Sequence, residues 1–97
     1  MSRPPPLSDA QISTRLASLP GWSLSGGKLR REFAFRDLPE AFGFMTRVAL
    51  VAEKMDHHPD WSNVWNRVVV ELSTHDAGGI TSLDLNLAAE MSRIAGS

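Results

Sequence analysis

Apolar side chains return along this chain in two rhythms, one of three to four residues and one of two, and the switches between them predict its elements. Ile12, Leu16 and Leu19 follow the first rhythm. Ser8 precedes them with Gln11 three residues later, a capping-box pattern, and Leu7 and Ile12 are placed to pack across it as a hydrophobic staple. A helix should therefore start at Asp9 and carry one narrow apolar stripe until Pro20 and Gly21 punctuate the chain. Leu29, Phe33 and Phe35 then share a face at the two-residue period, with Lys28, Arg30 and Glu32 opposite and Arg31 breaking the apolar side. Residues 22–24 and 28–36 flank Ser25, Gly26 and Gly27, where paired glycines can supply the positive φ angles of a tight hairpin turn.

The next helix has the clearest start. Asp37 can cap it, Pro39 suits a first turn that has no N–H to lose, and Glu40 favours the positive end of the dipole. Leu38, Phe42, Met45, Val48, Ala49, Ala52 and Met55 form its expected apolar stripe. It should run to about His57, because Pro59 cannot continue it and disfavours helical geometry at His58. Residues 61–66 and 68–75 alternate as strands, joined by a tight connection around Asn66 and Arg67. Val68, Val70, Leu72 and Thr74 fall on one face, with Val69, Glu71, Ser73 and His75 on the other as far as the register holds. A loop over 76–79 leads to Thr81, which with Asp84 three residues on gives a second capping-box-like start, for a helix along Leu83, Leu87, Met91 and Ile94. The order is α-β-β-α-β-β-α. Two hairpins merged into a four-stranded antiparallel sheet, with three helices packed on one face, make an α+β fold.

Composition narrows the classes of function. A chain of 97 residues is the size of one domain, 1–97, with residues 1–6 read as a flexible proline-rich tail. Its 42% hydrophobic residues supply a core without a metal or disulfide staple. A net charge of -1 offers no field for a polyanion, so direct nucleic-acid binding is not expected; Lys28, Arg30 and Arg31 read as a solvated strand edge. No apolar run approaches the ~20 residues that span a bilayer, so no membrane partner is expected either. The absence of cysteine fits a reducing compartment, and the expected location is cytoplasmic.

The candidate chemistry lies in the three histidines, His57, His58 and His75. Imidazole titrates near neutrality, which suits proton transfer. Each has a plainer reading as well. His57 and His58 could be end-charges at a helix C-terminus, worth about 0.3–1 kcal/mol against the dipole. His75 could be a surface group at a strand end, Asp84 could serve only its own helix start, and Trp61 with Trp65 could be sheet packing. Metal ligation is poorly supported, since there is no cysteine and no His-Glu-x-x-His, and adjacent histidines chelate one ion badly. No P-loop, dinucleotide fingerprint or Gly-x-Ser-x-Gly turn is present.

Taken together, Glu53-x3-His57-His58-Pro59-x5-Trp65-x9-His75-x8-Asp84 closely resembles the pattern of pterin-4a-carbinolamine dehydratases. Gly21-Trp22, Asn63-x-Trp65-Asn66, Leu72-Ser73-Thr74-His75 and Asp84-x-Asn86-Leu87-Ala88 extend the likeness over roughly residues 8–95. The resemblance implies a four-stranded antiparallel sheet with helices on one face. It also implies a lyase that removes water from 4a-hydroxytetrahydropterin to give quinonoid dihydropterin, with a small-molecule pterin as its partner and neither metal nor organic cofactor. His57 and His75 would then match the acid/base histidines, His58 the one that chiefly holds the pterin, and Asp84 a group that orients an imidazole. Asp56, Ser73, Thr74 and Asp76 would fall on segments lining the pterin pocket. A homodimer or homotetramer is implied. The alternative is a protein-binding module, since relatives of this fold dimerise a homeodomain transcription factor or act as assembly factors with altered catalytic residues. Here those residues are intact, which favours the enzyme.

Overall fold

In a computed structural model, which describes residues 3–96, Ser8 caps the first helix as the sequence predicts. Its Oγ accepts from Gln11 N at 3.2 Å, and Gln11 Oε1 accepts from Ser8 N at 2.9 Å. The helix, α1, spans Asp9–Leu16. Strands β1 (Ser23–Ser25) and β2 (Lys28–Ala34) follow, then helix α2 (Leu38–Met55), strands β3 (Asp60–Val64) and β4 (Arg67–Leu72), a 3-10 turn (His75–Ala77) and helix α3 (Ser82–Ala95). Gly26 and Gly27 make the first hairpin turn at φ 60° and 78°, the left-handed geometry that a two-residue loop between twisted strands requires.

The four strands form one antiparallel sheet in the order β1-β2-β4-β3. Register pairs Leu29 with Leu72 and Phe33 with Val68, so one face carries Leu29, Phe33, Val68, Val70 and Leu72, all buried. Ile12 of α1, Ala41, Phe44, Val48 and Ala52 of α2, and Leu85, Leu87, Ala88 and Met91 of α3 complete the same core. That is the α+β architecture expected from periodicity.

Four local readings shift. Helix α2 turns a different stripe inward from the one expected. Phe44 packs on Phe33 and Phe35 at centroid distances of 4.7 and 4.9 Å, so Phe42 and Leu38 point outward, 60% and 42% exposed, with Leu50 at 69%. Both phenylalanines fit a helical period, and only the sheet's aromatics select between them. The helix also stops two residues early, at Met55, because Asp56 adopts a left-handed cap with φ 52°. In the second hairpin the turn falls on Trp65 and Asn66 rather than Asn66 and Arg67. Asn66 bonds Phe35 through N–H to O and O to N–H contacts at 2.9 and 2.8 Å, and Asn63 Nδ2 donates to the carbonyls of Trp65 and Arg67. Strand β4 ends at Leu72, and Thr74 makes only an isolated bridge to Gly79, so His75 opens a 3-10 turn instead of ending a strand.

Arg31, the charge on the apolar side of β2, stays there. Its guanidinium lies 4.2 Å over the Phe33 ring and donates to Ser92 Oγ at 3.0 Å, the same oxygen that accepts from Trp22 Nε1 at 3.0 Å. Burial lowers its pKa from the ordinary arginine value. Backbone room for this side chain comes from Gly21, at φ 88°, where a Cβ would lie 2.9 Å from Arg31 Nε. Gly21→Ala should therefore destabilise the protein by about 1–2 kcal/mol, through the left-handed backbone and the displaced guanidinium. The measurement is the urea midpoint, and an unchanged midpoint would contradict this account.

Candidate active site

Where α2 ends, Asp56 turns the chain so that its two following histidines part company. His57 goes inward, 6% exposed, and its Nε2 lies 2.6 Å from Asp84 Oδ1. His58 goes outward to an exposed contact of Nε2 with Glu53 Oε1 at 2.9 Å. Asp84 is fully buried at the third position of α3. Its other oxygen accepts from Thr81 N at 2.9 Å and from Thr74 Oγ1 at 2.8 Å.

The hydrogens in this network follow from counting donors. Thr74 gives its only hydroxyl hydrogen to the carboxylate, so in its 2.7 Å contact with Thr81 Oγ1 it must accept. Thr81 Oγ1 in turn accepts from Leu83 N at 3.2 Å. An ionised carboxylate can only accept, so His57 Nε2 carries the hydrogen that faces Asp84. The other ring nitrogen, Nδ1, has no partner among the described residues. No buried polar side-chain atom among the described residues is left unpaired, so Nδ1 opens onto the neighbouring cleft.

That cleft, about 190 Å³, is lined by Arg3, Asp56, His57, His58, Ser73, Thr74, His75 and Asp76. It suits a small ligand, below the ~300–1,000 Å³ of drug-sized sites. The structure thus brings seven of the eight sequence-selected residues to one wall, and the eighth, Asp84, stands behind His57. His75 and Asp76 reach it from the 3-10 turn and are exposed. Arg3 was missed, because nothing in a proline-rich start announces where it lies. Thr81 was read only as a cap, although its position three residues before Asp84 already placed it on that carboxylate. A larger groove, about 810 Å³, runs between α2 and α3 along Val51, Lys54, Met55 and Arg93, but holds no histidine. Chemistry, not volume, selects the smaller cleft. Among the described residues no group of three or more His, Cys, Asp or Glu side chains is disposed to hold a metal ion, and no helix is long and apolar enough to cross a membrane.

Residues 5–94 match the sequence model of the family described as Pterin 4 alpha carbinolamine dehydratase. The chain belongs to that family. A relative from Mesorhizobium japonicum, whose pterin-4-alpha-carbinolamine dehydratase name is provisional, is 58% identical over 92 residues, 93% of this chain and 94% of its own. One from Afipia carboxidovorans with the same provisional name is 60% identical over 91 residues, 92% of this chain and 91% of its own. A crystal structure from Brucella melitensis, described as a transcriptional coactivator/pterin dehydratase, superposes with a TM-score of 0.91 at 45% identity, covering 94% of this chain and 99% of that one. A pterin dehydratase-like protein identified as a RuBisCO assembly factor shares the dehydratase fold at a TM-score of 0.65 and 22% identity, over 78% of this chain and 88% of its own.

The two carboxylate contacts made by adjacent histidines in this dehydratase-family chain, His57 with Asp84 and His58 with Glu53, should differ sharply in what they do for stability. Asp84→Ala strands the His57, Thr74 and Thr81 donors in the interior and should cost about 3 kcal/mol. His58→Ala removes only an exposed pair and should stay within about 0.5 kcal/mol of the parent. Urea denaturation of the two variants gives the comparison, and equal losses would mean that the Asp84 network is not holding this corner together.

Proposed function

We propose that this protein is a hydro-lyase that converts 4a-hydroxytetrahydropterin to quinonoid dihydropterin, as part of tetrahydropterin recycling. The observation that carries the reading is His57: a buried imidazole backed by a carboxylate on Nε2, with Nδ1 left to the cleft. Such an arrangement fixes the tautomer and the ring orientation, which is what a proton-transfer group needs. The family match supports the choice of substrate class.

The reaction asks for little else. The C4a–O bond breaks as the hydroxyl takes a proton and leaves as water. The N5 lone pair forms the C4a=N5 double bond, and the N5 hydrogen goes to a base. One acid and one base suffice, each contributing typically about 10²–10⁴ in rate. His57 and His75 take these two parts, approaching the ligand from the end of α2 and from the 3-10 turn. Asp84 orients His57 and stabilises its imidazolium. His58, exposed and in contact with Glu53, holds the pterin, and Asp56, Ser73, Thr74 and Asp76 offer short polar and backbone groups to the heterocycle's amide-like edge.

A second role has its own observation. Leu38, Phe42 and Leu50 are exposed on α2, and the sheet leaves β1 and β3 as unpaired edges. These surfaces support a homodimer or homotetramer, and equally a protein-binding function beside the enzymatic one.

Steady-state kinetics test the first reading. His57→Ala or His75→Ala should lower kcat about 10-fold or more, and the double variant should nearly abolish turnover, whereas His58→Ala should chiefly raise KM. Near-parental kcat/KM in both single variants would defeat the enzyme assignment in favour of the binding module. Light scattering at micromolar concentration should give a multiple of the monomer mass, and a monomer alone would remove the oligomer proposal.

A further inference from the structure

Arg3 stands in the wall of the candidate cleft, four residues before the backbone hydrogen bond that anchors this segment to the body of the fold. That anchor is Leu7 N, which donates to Ile80 O at 2.8 Å. Between them Pro4, Pro5 and Pro6 hold φ near −65° and push the residue before each away from helical geometry, so over residues 3–6 the segment expected from sequence to be a flexible tail is a stiff extended strap. Pro6 lies over Gly79, with its Cβ 3.6 Å from where a glycine Cβ would sit. Gly79 closes the loop that carries His75 and Asp76, by its bridge to Thr74. The strap therefore crosses the loop and delivers the Arg3 guanidinium to Asp56, 3.5 Å away, with Arg3 29% exposed and Asp56 82%.

An ion pair with so exposed a partner is weak, so the guanidinium can turn to a ligand at small cost. It keeps five N–H donors in a rigid fork. Among the described residues the other charged side chains of the cleft apart from the histidines are the carboxylates of Asp56 and Asp76, which as anions accept only. Arg3 is thus the permanent cation among the described residues of the site and their richest donor.

We propose that Arg3 is a substrate-binding residue that donates to an oxygen of the pterin next to the reacting C4a–N5 bond, with the proline strap fixing its reach in advance. Two oxygen functions flank that bond, the C4 carbonyl on the ring and the hydroxyls of the C6 side chain. Both present the same acceptor chemistry. Preorganisation by the strap lowers the ordering cost of the contact. The inference rests on the dehydratase reading given above.

The test compares KM for 4a-hydroxytetrahydropterins bearing a dihydroxypropyl or a methyl group at C6, generated in situ, on the full chain. Arg3→Ala should raise KM about tenfold, the loss of one charge-assisted hydrogen bond, with kcat changed less than twofold. Arg3→Lys should recover part of the affinity, since charge remains but the fork is gone. Pro4→Gly, Pro5→Gly and Pro6→Gly combined should raise KM with Arg3 intact. Arg47→Ala, which removes an equal charge from the exposed face of α2, should change nothing. A penalty on both substrates assigns the contact to the ring carbonyl, and a penalty confined to the dihydroxypropyl substrate assigns it to the side chain; either supports the proposal. If the parent turns over and Arg3→Ala keeps its KM within twofold on both substrates, the proposal is wrong. If the parent itself gives no rate above the uncatalysed reaction, the dehydratase reading falls and takes this role with it.

Discussion

A carboxylate with no exposure to water survives in a protein only while its lone pairs meet donors, because the desolvation of an ion costs several kcal/mol that only close partners offset. Asp84 meets three: an imidazole from the end of α2, a hydroxyl from the segment after β4, and the backbone N–H of Thr81 at the start of its own helix. These partners come from three places in the chain, so the carboxylate ties together the ends of elements that the apolar core brings near but does not orient. The core sets the distance between α2, β4 and α3. Asp84 sets the register of their ends, and the wall of the cleft is made of those same ends.

The contrast with the other ion pairs shows why this one dominates. Arg36 with Glu40 reaches across the start of α2, and Arg93 with Glu90 spans one turn of α3, both on exposed surface where water and salt leave little net gain. Arg31 is the exception among the cations, since Phe33, Ser92 and the space at Gly21 hold its guanidinium against α3. It joins the sheet to that helix far from Asp84, so α3 is fastened at its first turn by an anion and near its last by a cation. That polarity matches the helix dipole at the first end, where the carboxylate sits near the unpaired N–H groups.

Much of this was legible in the sequence because short-range chemistry decided it. Ser8 with Gln11, Asp37 with Glu40, and Thr81 with Asp84 mark helix starts through bonds only three residues long, and Gly26 with Gly27 marks a turn through backbone freedom alone. What failed depended on contacts across the fold. Phe42 and Phe44 are interchangeable to a periodicity argument, and the rings of Phe33 and Phe35 choose Phe44. The turn at Trp65 is set by Asn66 reaching 31 residues back to Phe35. The gathering of the candidate site was carried by family pattern rather than by rhythm, since alternation placed Thr74 and His75 on opposite faces without saying that both would border one cleft. Arg3 had no signal of either kind.

The left-handed residue Asp56 has a consequence for the histidine pair that follows it. Had α2 continued, His57 and His58 would have stood about 100° apart on one helix surface, near enough to share a task. One αL residue replaces that geometry with opposite directions, inward for the first and outward for the second. Two identical neighbouring letters thus become independent of each other, subject to different tolerances. At position 57 a replacement takes one of three donors from a buried carboxylate and so costs stability as well as chemistry, whereas at position 58 the fold accepts almost any polar group, and only the ligand can object.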